Sequence, residues 1–289
     1  MNALWAVLLG IIQGLTEFLP ISSTAHLTIA GKLFGVVDVE APESWTAFMA
    51  VMQLGTMAAV LIYFRTDLWN VVTGIVGDLT AGAAGRGERG WSQESRLGFA
   101  MAIGTVPVLL AGYFLRHIIE SALTKSTIVI VGSLVCLAAL LWLAEKVARH
   151  AREVEGVTWK DALIVGLAQA MALIPGSSRS GTTMTAALFL GFTRSAAARF
   201  SFLLSIPAVL ASGLYQLYKV AEMVRSGADV FHLGVGNLVI ATVVSGLAGY
   251  AAIAWLLRYL MRHTTMVFVW YRFALGILLT LLLMQGILN

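Results

Sequence analysis

Two short polar segments interrupt an otherwise apolar chain, and their residue types repeat. The first polar box, residues 10–26, and the second polar box, residues 166–183, each run Gly-x-x-Gln, a short apolar stretch and then Pro-x-Ser-Ser. Together the two boxes contain residue types that could act as a nucleophile, as a base and as a cation that binds an anion. Because polar side chains are costly in hydrocarbon, a duplicated polar break of this kind indicates a functional site.

The second polar box has the residue types of an anion-binding site. Arg179 offers a planar guanidinium whose donors match the oxygens of a phosphate group. Small hydroxyl side chains surround this arginine: Ser177, Ser178, Ser180 and Thr183. A helix that starts after the Pro175-Gly176 break would direct its positive N-terminal end at the same point. We therefore expect this box to bind phosphate; the alternative is an arginine paired with a structural carboxylate.

The first polar box supplies complementary groups. Gln13 and Glu17 are four residues apart and so share one face of a helix. Ser23 and His26 are three residues apart, a spacing that permits a serine nucleophile with a histidine base. Glu17 is then free to orient the histidine or to bind a divalent cation. The structural alternatives are packing of Ser22 and Ser23 between helices and a hydrogen-bonded structural histidine.

The composition is that of an integral membrane protein. Of 289 residues, 59% are hydrophobic and 12% are charged, whereas a soluble domain carries about 25% charged residues. The net charge is +4, and without a long basic run we expect no nucleic-acid partner. The single cysteine, Cys136, excludes an internal disulfide and a cysteine metal cluster. We expect no cleavable signal, because the first apolar run contains Gln13 and Glu17.

Apolar segments predict the membrane topology. Six of them, each about 20 residues long, are sufficient to cross a bilayer: 45–64, 96–116, 126–145, 197–218, 236–258 and 266–288. Two further segments, 3–34 and 160–190, are broken by Pro20 and by Pro175-Gly176, and proline ends a helix. Broken backbone at membrane depth survives only inside protein or around water. The pattern predicts an all-α polytopic membrane protein with six transmembrane helices and two re-entrant helix–loop–helix hairpins.

The order of these segments predicts an inverted repeat within a single membrane domain, residues 1–289. Each half, about 1–150 and about 155–289, holds one hairpin and three crossings, so the second half starts on the opposite side. Lysines and arginines are concentrated on one predicted side, which places that side in the cytoplasm. Both termini and the mouth of the first hairpin would then face the periplasm or cell exterior. We expect residues 65–95 to be a mobile cytoplasmic connector.

With these motifs the chain resembles the BacA/UppP family, the undecaprenyl-diphosphate phosphatases of bacteria, over its whole length. The family's first motif begins Glu/Gln-x-x-x-Glu and runs into Pro-x-Ser-Ser-x-x-His, which Gln13, Glu17 and residues 20–26 match. Its second motif, Pro-Gly-x-Ser-Arg-Ser-x-x-Thr, matches residues 175–183. Many members carry Glu at position 13, and the glutamine of this chain removes one charge.

The resemblance implies an enzyme of the bacterial inner membrane that hydrolyses undecaprenyl diphosphate to undecaprenyl phosphate and phosphate. That step recycles the lipid carrier of cell-wall synthesis and is tied to bacitracin resistance. The resemblance also implies a divalent cation, Mg²⁺ or Ca²⁺. With glutamine at position 13, Glu17 would hold this cation alone or together with phosphate oxygens.

Our mechanistic hypothesis assigns the nucleophile to Ser23 and its base to His26. Arg179, backbone N–H groups near Ser178 and a cation at Glu17 would stabilise the charge on the transferred phosphoryl group. Two variants stay open, one in which His26 activates water and one in which Ser178 attacks. We expect the site to open to the outer face, because Glu17 and His26 enter from that side.

A polyprenyl-phosphate transporter, with or without hydrolysis, is the main rival function. Secondary transporters use the same inverted repeats and broken helices. A transporter needs only an anion-binding site, whereas the two boxes also contain a nucleophile and a base, which favours an enzyme. A homodimer is a further expectation, since Gly246 and Gly249 are small enough to let helices pack closely.

Overall fold

The computed structural model of the chain describes residues 2–36, 42–86, 90–115, 126–225 and 234–285. Within these ranges the fold is all helical, apart from an isolated bridge between Arg152 and Phe192. The helices are α1 (Ala3–Phe18), α2 (Ser23–Leu33), α3 (Pro42–Tyr63), α4 (Arg65–Arg86), α5 (Gln93–Phe114), α6 (Thr127–Val147), α7 (Trp159–Met171), α8 (Arg179–Phe189), α9 (Arg194–Arg225), α10 (Val235–Leu260) and α11 (Met266–Met284), with one 3₁₀ turn at Val154–Gly156.

Five of the six predicted spans are confirmed as helices that are long and apolar enough to cross a membrane. They are α5, α6, α9 over Arg194–Lys219, α10 and α11. The span predicted over 45–64 corresponds to α3, which qualifies only together with α4, across a 67° bend between Phe48–Tyr63 and Arg65–Gly82. The described chain therefore has five candidate spans, or six if this bent pair is one. Residue 116 and residues 286–288, at the ends of two predicted spans, lie outside the described ranges.

The prediction of a mobile connector over 65–95 is wrong for most of that segment. Residues 65–86 form α4, whose helical geometry is interrupted at Gly82, where φ is +65°. Asp78 of α4 accepts hydrogen bonds from Ser92 N, Ser92 Oγ and Ser95 Oγ at 2.5 to 2.8 Å. These bonds hold α4 against the beginning of α5. Gly82 therefore interrupts a helix and does not lie in a long loop.

Both segments predicted to be hairpins consist of two helices that pack against each other around a break. α1 and α2 are joined by residues 19–22, and α7 and α8 by residues 172–178. Each second helix is preceded by a serine in the left-handed region: φ is +75° at Ser22 and +68° at Ser178. The side chain of each serine accepts a hydrogen bond from a backbone N–H three residues later, at Ala25 and Gly181. The two polar boxes therefore share one local backbone geometry.

The two polar boxes follow one register. Three pairs of equivalent residues are 156 positions apart: Gly10 and Gly166, Gln13 and Gln169, and Ser22 and Ser178. The prolines deviate from this register by one position. The counterpart of Ser23 is therefore Arg179, and the counterpart of Glu17 is Leu173. The duplication repeats the backbone but places different chemistry in each half.

Each hairpin packs against a long helix of the other half. α1 lies along α10, and α7 lies along α5. Glycine allows both close approaches: a Cβ on Gly10 would lie 2.6 Å from Ala241 O, and one on Gly166 would lie 2.2 Å from Gly104 O. Because Gly10 and Gly166 are counterparts, each half packs on the other through an equivalent glycine.

Gly246 and Gly249, considered above for a dimer interface, pack inside this chain. A Cβ on Gly246 would lie 3.0 Å from Gly55 O, and one on Gly249 would lie 2.9 Å from Phe18 Cε2. These glycines bring α10 close to α3 and α1. They therefore give no support to a homodimer, which stays a prediction.

Ion pairs link helices on the side that the sequence assigns to the cytoplasm. Three arginines of that side pair with acids on other elements: Arg152 with Asp161, Arg194 with Glu145, and Arg199 with Asp67. Glu145 also accepts a hydrogen bond at 2.8 Å from Thr265 Oγ1, at the start of α11. The ends of α6, α9 and α11 are thereby held together, so these charges form one polar end of the bundle.

Candidate active site

Glu17 lies at the centre of a hydrogen-bond network that joins both polar boxes. Its Oε2 accepts from Ser23 Oγ at 2.7 Å and from Gln13 Nε2 at 3.1 Å. Its Oε1 accepts from Gln53 Nε2 at 3.0 Å and from Arg179 Nη2 in a charge-assisted contact. The side chain of Glu17 is only 6% exposed. A buried carboxylate requires such donors, and the second hairpin supplies the matching positive charge.

The two helix starts bring Ser23 and Arg179 to the same carboxylate. Ser23 is the first residue of α2, and Arg179 is the first residue of α8. Each follows a serine cap with positive φ, so the two side chains leave equivalent backbone positions. The N-terminal ends of both helices carry partial positive charge, which favours an anion between them.

His26 does not make the predicted contact with Ser23. Its Nδ1 lies 2.7 Å from the Ser22 carbonyl oxygen, its Nε2 lies 2.6 Å from the Tyr271 hydroxyl, and its ring stacks on that tyrosine. Both imidazole nitrogens thus have partners, while the Ser23 hydroxyl donates to Glu17. The i, i+3 spacing does not bring the two side chains together. Ser23, the first residue of α2, bonds to Glu17 on α1, whereas His26 bonds to the backbone of the cap residue Ser22. The ionisable group in contact with the Ser23 hydroxyl is the Glu17 carboxylate.

A cavity of about 650 Å³ opens on this network. Its polar lining includes Glu17, Ser23 and Arg179, together with both cap serines. Its apolar lining comes largely from α5 and α9, including the residues that follow a proline in each helix: Val108, Leu109, Ala208 and Val209. Charged and apolar binding surfaces therefore share one space, as an amphiphilic ligand requires. His26 is not part of its lining.

A second cavity, of about 200 Å³, also borders this carboxylate. Glu17, Ser23 and Gln53 line both cavities, and Gln13 lines only this smaller one. The Ser23 hydroxyl and the Glu17 carboxylate therefore border two cavities.

Two predicted substrate-binding hydroxyls of the second box are directed to the protein. Ser180 Oγ donates to the Leu19 carbonyl oxygen at 3.0 Å, which ties one hairpin to the other. Thr183 Oγ1 donates to the Arg179 carbonyl oxygen at 2.7 Å and lies 2.5 Å from Ser201 Oγ. Ser177 is also buried at 1% exposure and does not line the large cavity. These residues support the site from behind, while Ser22 and Ser178 face the cavity as helix caps.

Arg272 of α11 is a supporting residue that the motifs did not reveal. The residue is fully buried. Its guanidinium donates to the carbonyl oxygens of Pro20 at 3.2 Å, Ser177 at 3.3 Å and Gly176 at 3.4 Å. One cation therefore bridges the turns of both hairpins. Its position within the predicted span 266–288 was the available signal, because an arginine at membrane depth seldom lacks a role.

Gln53 was missed as well, although a polar side chain inside the predicted span 45–64 gave the same kind of signal. It donates to Glu17 and lines both cavities. The first helix after the hairpin therefore contributes to the site.

The residues present fit a divalent cation only with help from substrate. Within the described ranges there is no group of three or more His, Cys, Asp or Glu residues that could hold a metal ion. Glu17 is the one acid in the network, and its Oε1 already faces Arg179. Mg²⁺ is commonly bound by one or two carboxylates together with substrate phosphates and water, and Glu17 meets the protein share of that requirement.

Comparison with known proteins identifies the family to which the chain belongs. It matches the family model described as "Bacitracin resistance protein BacA" over residues 6–278. An "Undecaprenyl-diphosphatase" of Syntrophobacter fumaroxidans is 52% identical over 276 residues, which cover 96% of this chain and 95% of that protein.

Two other relatives bear the same name. The protein of Chloroherpeton thalassium is 48% identical over 295 residues, covering 99% of this chain and 98% of its own. That of Myxococcus xanthus is 48% identical over 289 residues, covering 100% and 92%. The match spans nearly the whole chain and includes both hairpins that meet at Glu17, so this chain belongs to the BacA family.

Proposed function

We propose that this chain hydrolyses undecaprenyl diphosphate to undecaprenyl phosphate and phosphate in the bacterial plasma membrane. The convergence of Glu17, Ser23 and Arg179 at the polar end of a largely apolar cavity carries the proposal. A diphosphate head needs cationic and donor groups, and a polyprenyl tail needs an apolar path. Relatives that are 45% to 52% identical and bear the name undecaprenyl-diphosphatase support the same substrate.

In the proposed mechanism Ser23 Oγ attacks the terminal phosphorus while Glu17 Oε2 accepts the hydroxyl proton. The bond from this phosphorus to the bridging oxygen breaks, and undecaprenyl phosphate leaves. Arg179 neutralises charge on the oxygens of the transferred phosphoryl group. Catalysis of phosphoryl transfer comes mainly from such electrostatic stabilisation together with positioning. Glu17 passes the serine proton to the departing undecaprenyl phosphate and is again ionised. It then deprotonates a water molecule that attacks the phosphoserine phosphorus; the bond from Ser23 Oγ to phosphorus breaks, phosphate leaves, and Ser23 takes the proton back from Glu17.

The two other nucleophile assignments have less support from the geometry. Ser178 Oγ accepts from Gly181 N as a helix cap and lies 3.2 Å from Ser180 Oγ, without a neighbouring base among its described contacts. His26 is held by Ser22 and Tyr271 and lies off the cavity lining, so activation of water by His26 is also disfavoured.

A divalent cation, Mg²⁺ or Ca²⁺, would be held by Glu17 and the substrate's phosphate oxygens. The cation would neutralise the part of the diphosphate's negative charge that Arg179 does not neutralise. Gln13, which donates to Glu17, orients this carboxylate.

The two broken helix pairs are re-entrant hairpins of an inverted repeat, with both termini outside the cell and the site opening outward. The matching serine caps, the constant register and the reciprocal packing of α1 on α10 and α7 on α5 support this arrangement. The arginine-rich end of the bundle would then be cytoplasmic.

Purified protein in liposomes tests the function. We expect release of inorganic phosphate from undecaprenyl diphosphate by the wild-type chain. Translocation of the lipid without phosphate release would instead support a transporter and overturn the proposal. Phosphate release that does not need a divalent cation would contradict the cation assignment alone.

A further inference from the structure

Gln169 is a buried amide whose side chain has no protein partner. It lies on α7, two residues before the helix ends, and is 0% exposed. Neither its Nε2 nor its Oε1 has a hydrogen-bond partner. A buried polar group without a partner destabilises a fold, so its presence requires an explanation.

Its counterpart in the first half shows what is missing. Gln13 occupies the equivalent position on α1, is buried to a similar extent and donates to Glu17. The position equivalent to Glu17 in the second half is Leu173, whose side chain has no acceptor. The second half therefore keeps the amide but lacks its internal acceptor.

The cavity beside Gln169 indicates where a partner would come from. Gln169 lines the 650 Å³ cavity together with Glu17, Ser23 and Arg179. A primary amide has two N–H donors and a carbonyl acceptor. The donors suit phosphate oxygens, and the carbonyl oxygen suits water that enters with the head group. Because the amide is uncharged, it adds to the phosphate binding by Arg179 and does not compete with Arg179 for the Glu17 carboxylate.

We infer that Gln169 is a substrate-binding residue that donates its side-chain amide to the diphosphate head group. The inference rests on the proposed function and deepens it, because it adds a contact from α7 to the contacts from α1, α2 and α8. The asymmetry between the repeats then has a purpose: one glutamine orients the base, and the other binds the substrate.

Gln169→Met tests the inference, because methionine has a similar length but no donor or acceptor. We expect KM for undecaprenyl diphosphate to rise about 10-fold, the effect of losing one hydrogen bond to a charged group. We also expect the melting temperature to stay the same or to rise, since an unpartnered buried amide is removed. Gln169→Glu should raise KM further, because it places a negative charge beside the phosphates.

Thr242→Val is the matched control. Thr242 Oγ1 is another buried polar atom without a partner, but Thr242 does not line this cavity. We expect it to leave KM unchanged while its melting temperature also stays or rises. Wild-type KM in Gln169→Met, or a fall in its melting temperature that accompanies lost activity, would overturn the inference and indicate a structural amide.

Inorganic pyrophosphate separates this inference from the proposed function. We expect pyrophosphate to raise the melting temperature of the wild-type chain and to raise that of Gln169→Met much less. A smaller rise for Gln169→Met would support the inference even if the wild-type chain did not hydrolyse the lipid, a result that would overturn only the proposed function. Equal stabilisation of both proteins would contradict the inference even in an active enzyme.

Discussion

At the scale of single residues, Glu17 divides two roles between its two carboxylate oxygens. Oε1 faces Arg179 and Gln53, and Oε2 faces Ser23 and Gln13. One oxygen thus holds the guanidinium in place while the other is positioned to take the serine proton. This arrangement explains how a single acid can serve both hairpins.

Replacing Glu17 by Gln removes the base but keeps the size of the side chain. We expect kcat for phosphate release to fall by about 10²- to 10⁴-fold, the range for loss of general base catalysis. A phosphate-release assay on purified protein measures it. Activity within about threefold of wild type would exclude Glu17 as the base.

Gln13→Glu introduces a second acid beside Glu17. A second carboxylate next to Glu17 would repel it in the absence of a cation and bind a cation more tightly in its presence. We expect the Mg²⁺ concentration for half-maximal activity to fall, as measured by titration in the phosphate-release assay. An unchanged Mg²⁺ dependence would place the cation away from Glu17.

The residue types of the site were largely predictable, but their pairing was not. Glu17, Ser23 and Arg179 stand out as polar groups in apolar surroundings, and the structure brings them together. The pairing of Ser23 with His26 failed because sequence spacing cannot show that Ser23 begins a helix after a left-handed cap. Contacts between distant segments, such as His26 with Tyr271, carry no local signal.

At the scale of helices, Arg272 couples the two hairpins through their turns. Arg272→Met would leave the carbonyl oxygens of Pro20, Gly176 and Ser177 without this donor. We expect a loss of about 1–3 kcal/mol for each buried carbonyl that finds no new partner, together with reduced turnover. Thermal unfolding in detergent measures the stability.

The exposed Arg96 on α5 is the control for that substitution. Arg96→Met should change stability by no more than about 0.5 kcal/mol, as surface substitutions usually do. Equal melting temperatures for the two variants would mean that Arg272 does not hold the turns.

The glycine contacts between hairpins and partner helices make a separate prediction. Gly166→Ala would place a Cβ 2.2 Å from Gly104 O, so α7 and α5 must move apart. We expect destabilisation of about 1–3 kcal/mol. Gly132→Ala on α6, where nothing lies within 4 Å of an added Cβ, should instead be neutral or stabilising by up to about 1 kcal/mol. Thermal unfolding of both variants compares them, and a more stable Gly166→Ala would contradict the close packing.

Helix boundaries followed the sequence where the signal was strong. Prolines and apolar length identified five spans and both breaks, whereas α4 was missed because glycine and charge dominated the interpretation. The spacing of its exposed apolar residues, Trp69, Val72, Val76 and Leu79, is that of one helix face. That periodicity would have predicted the helix.

At the scale of the whole molecule, the two halves exchange their hairpins. α1 packs on a helix of the second half, and α7 packs on a helix of the first. The repeat itself could be predicted from the two boxes, but this exchange could not, because it depends on contacts between distant segments. The exchange places the starts of α2 and α8 at one carboxylate.

Outward opening of the site is tested by the accessibility of Thr24, which lines both cavities. The exposed native thiol of Cys136 is first removed as Cys136→Ser, and Thr24→Cys is introduced in that background. We expect a membrane-impermeant maleimide to label this cysteine in intact cells. Labelling that appears only in inverted vesicles would reverse the orientation.

The central claim is that Ser23, activated by Glu17 and opposed by Arg179, is the nucleophile of a diphosphate hydrolase. The rate of phosphate release from undecaprenyl diphosphate is compared between purified Ser23→Ala and wild-type protein. Equal melting temperatures of the two proteins show that the variant is folded. We expect the variant to be at least about 10²-fold slower. Turnover by Ser23→Ala near the wild-type rate would contradict it.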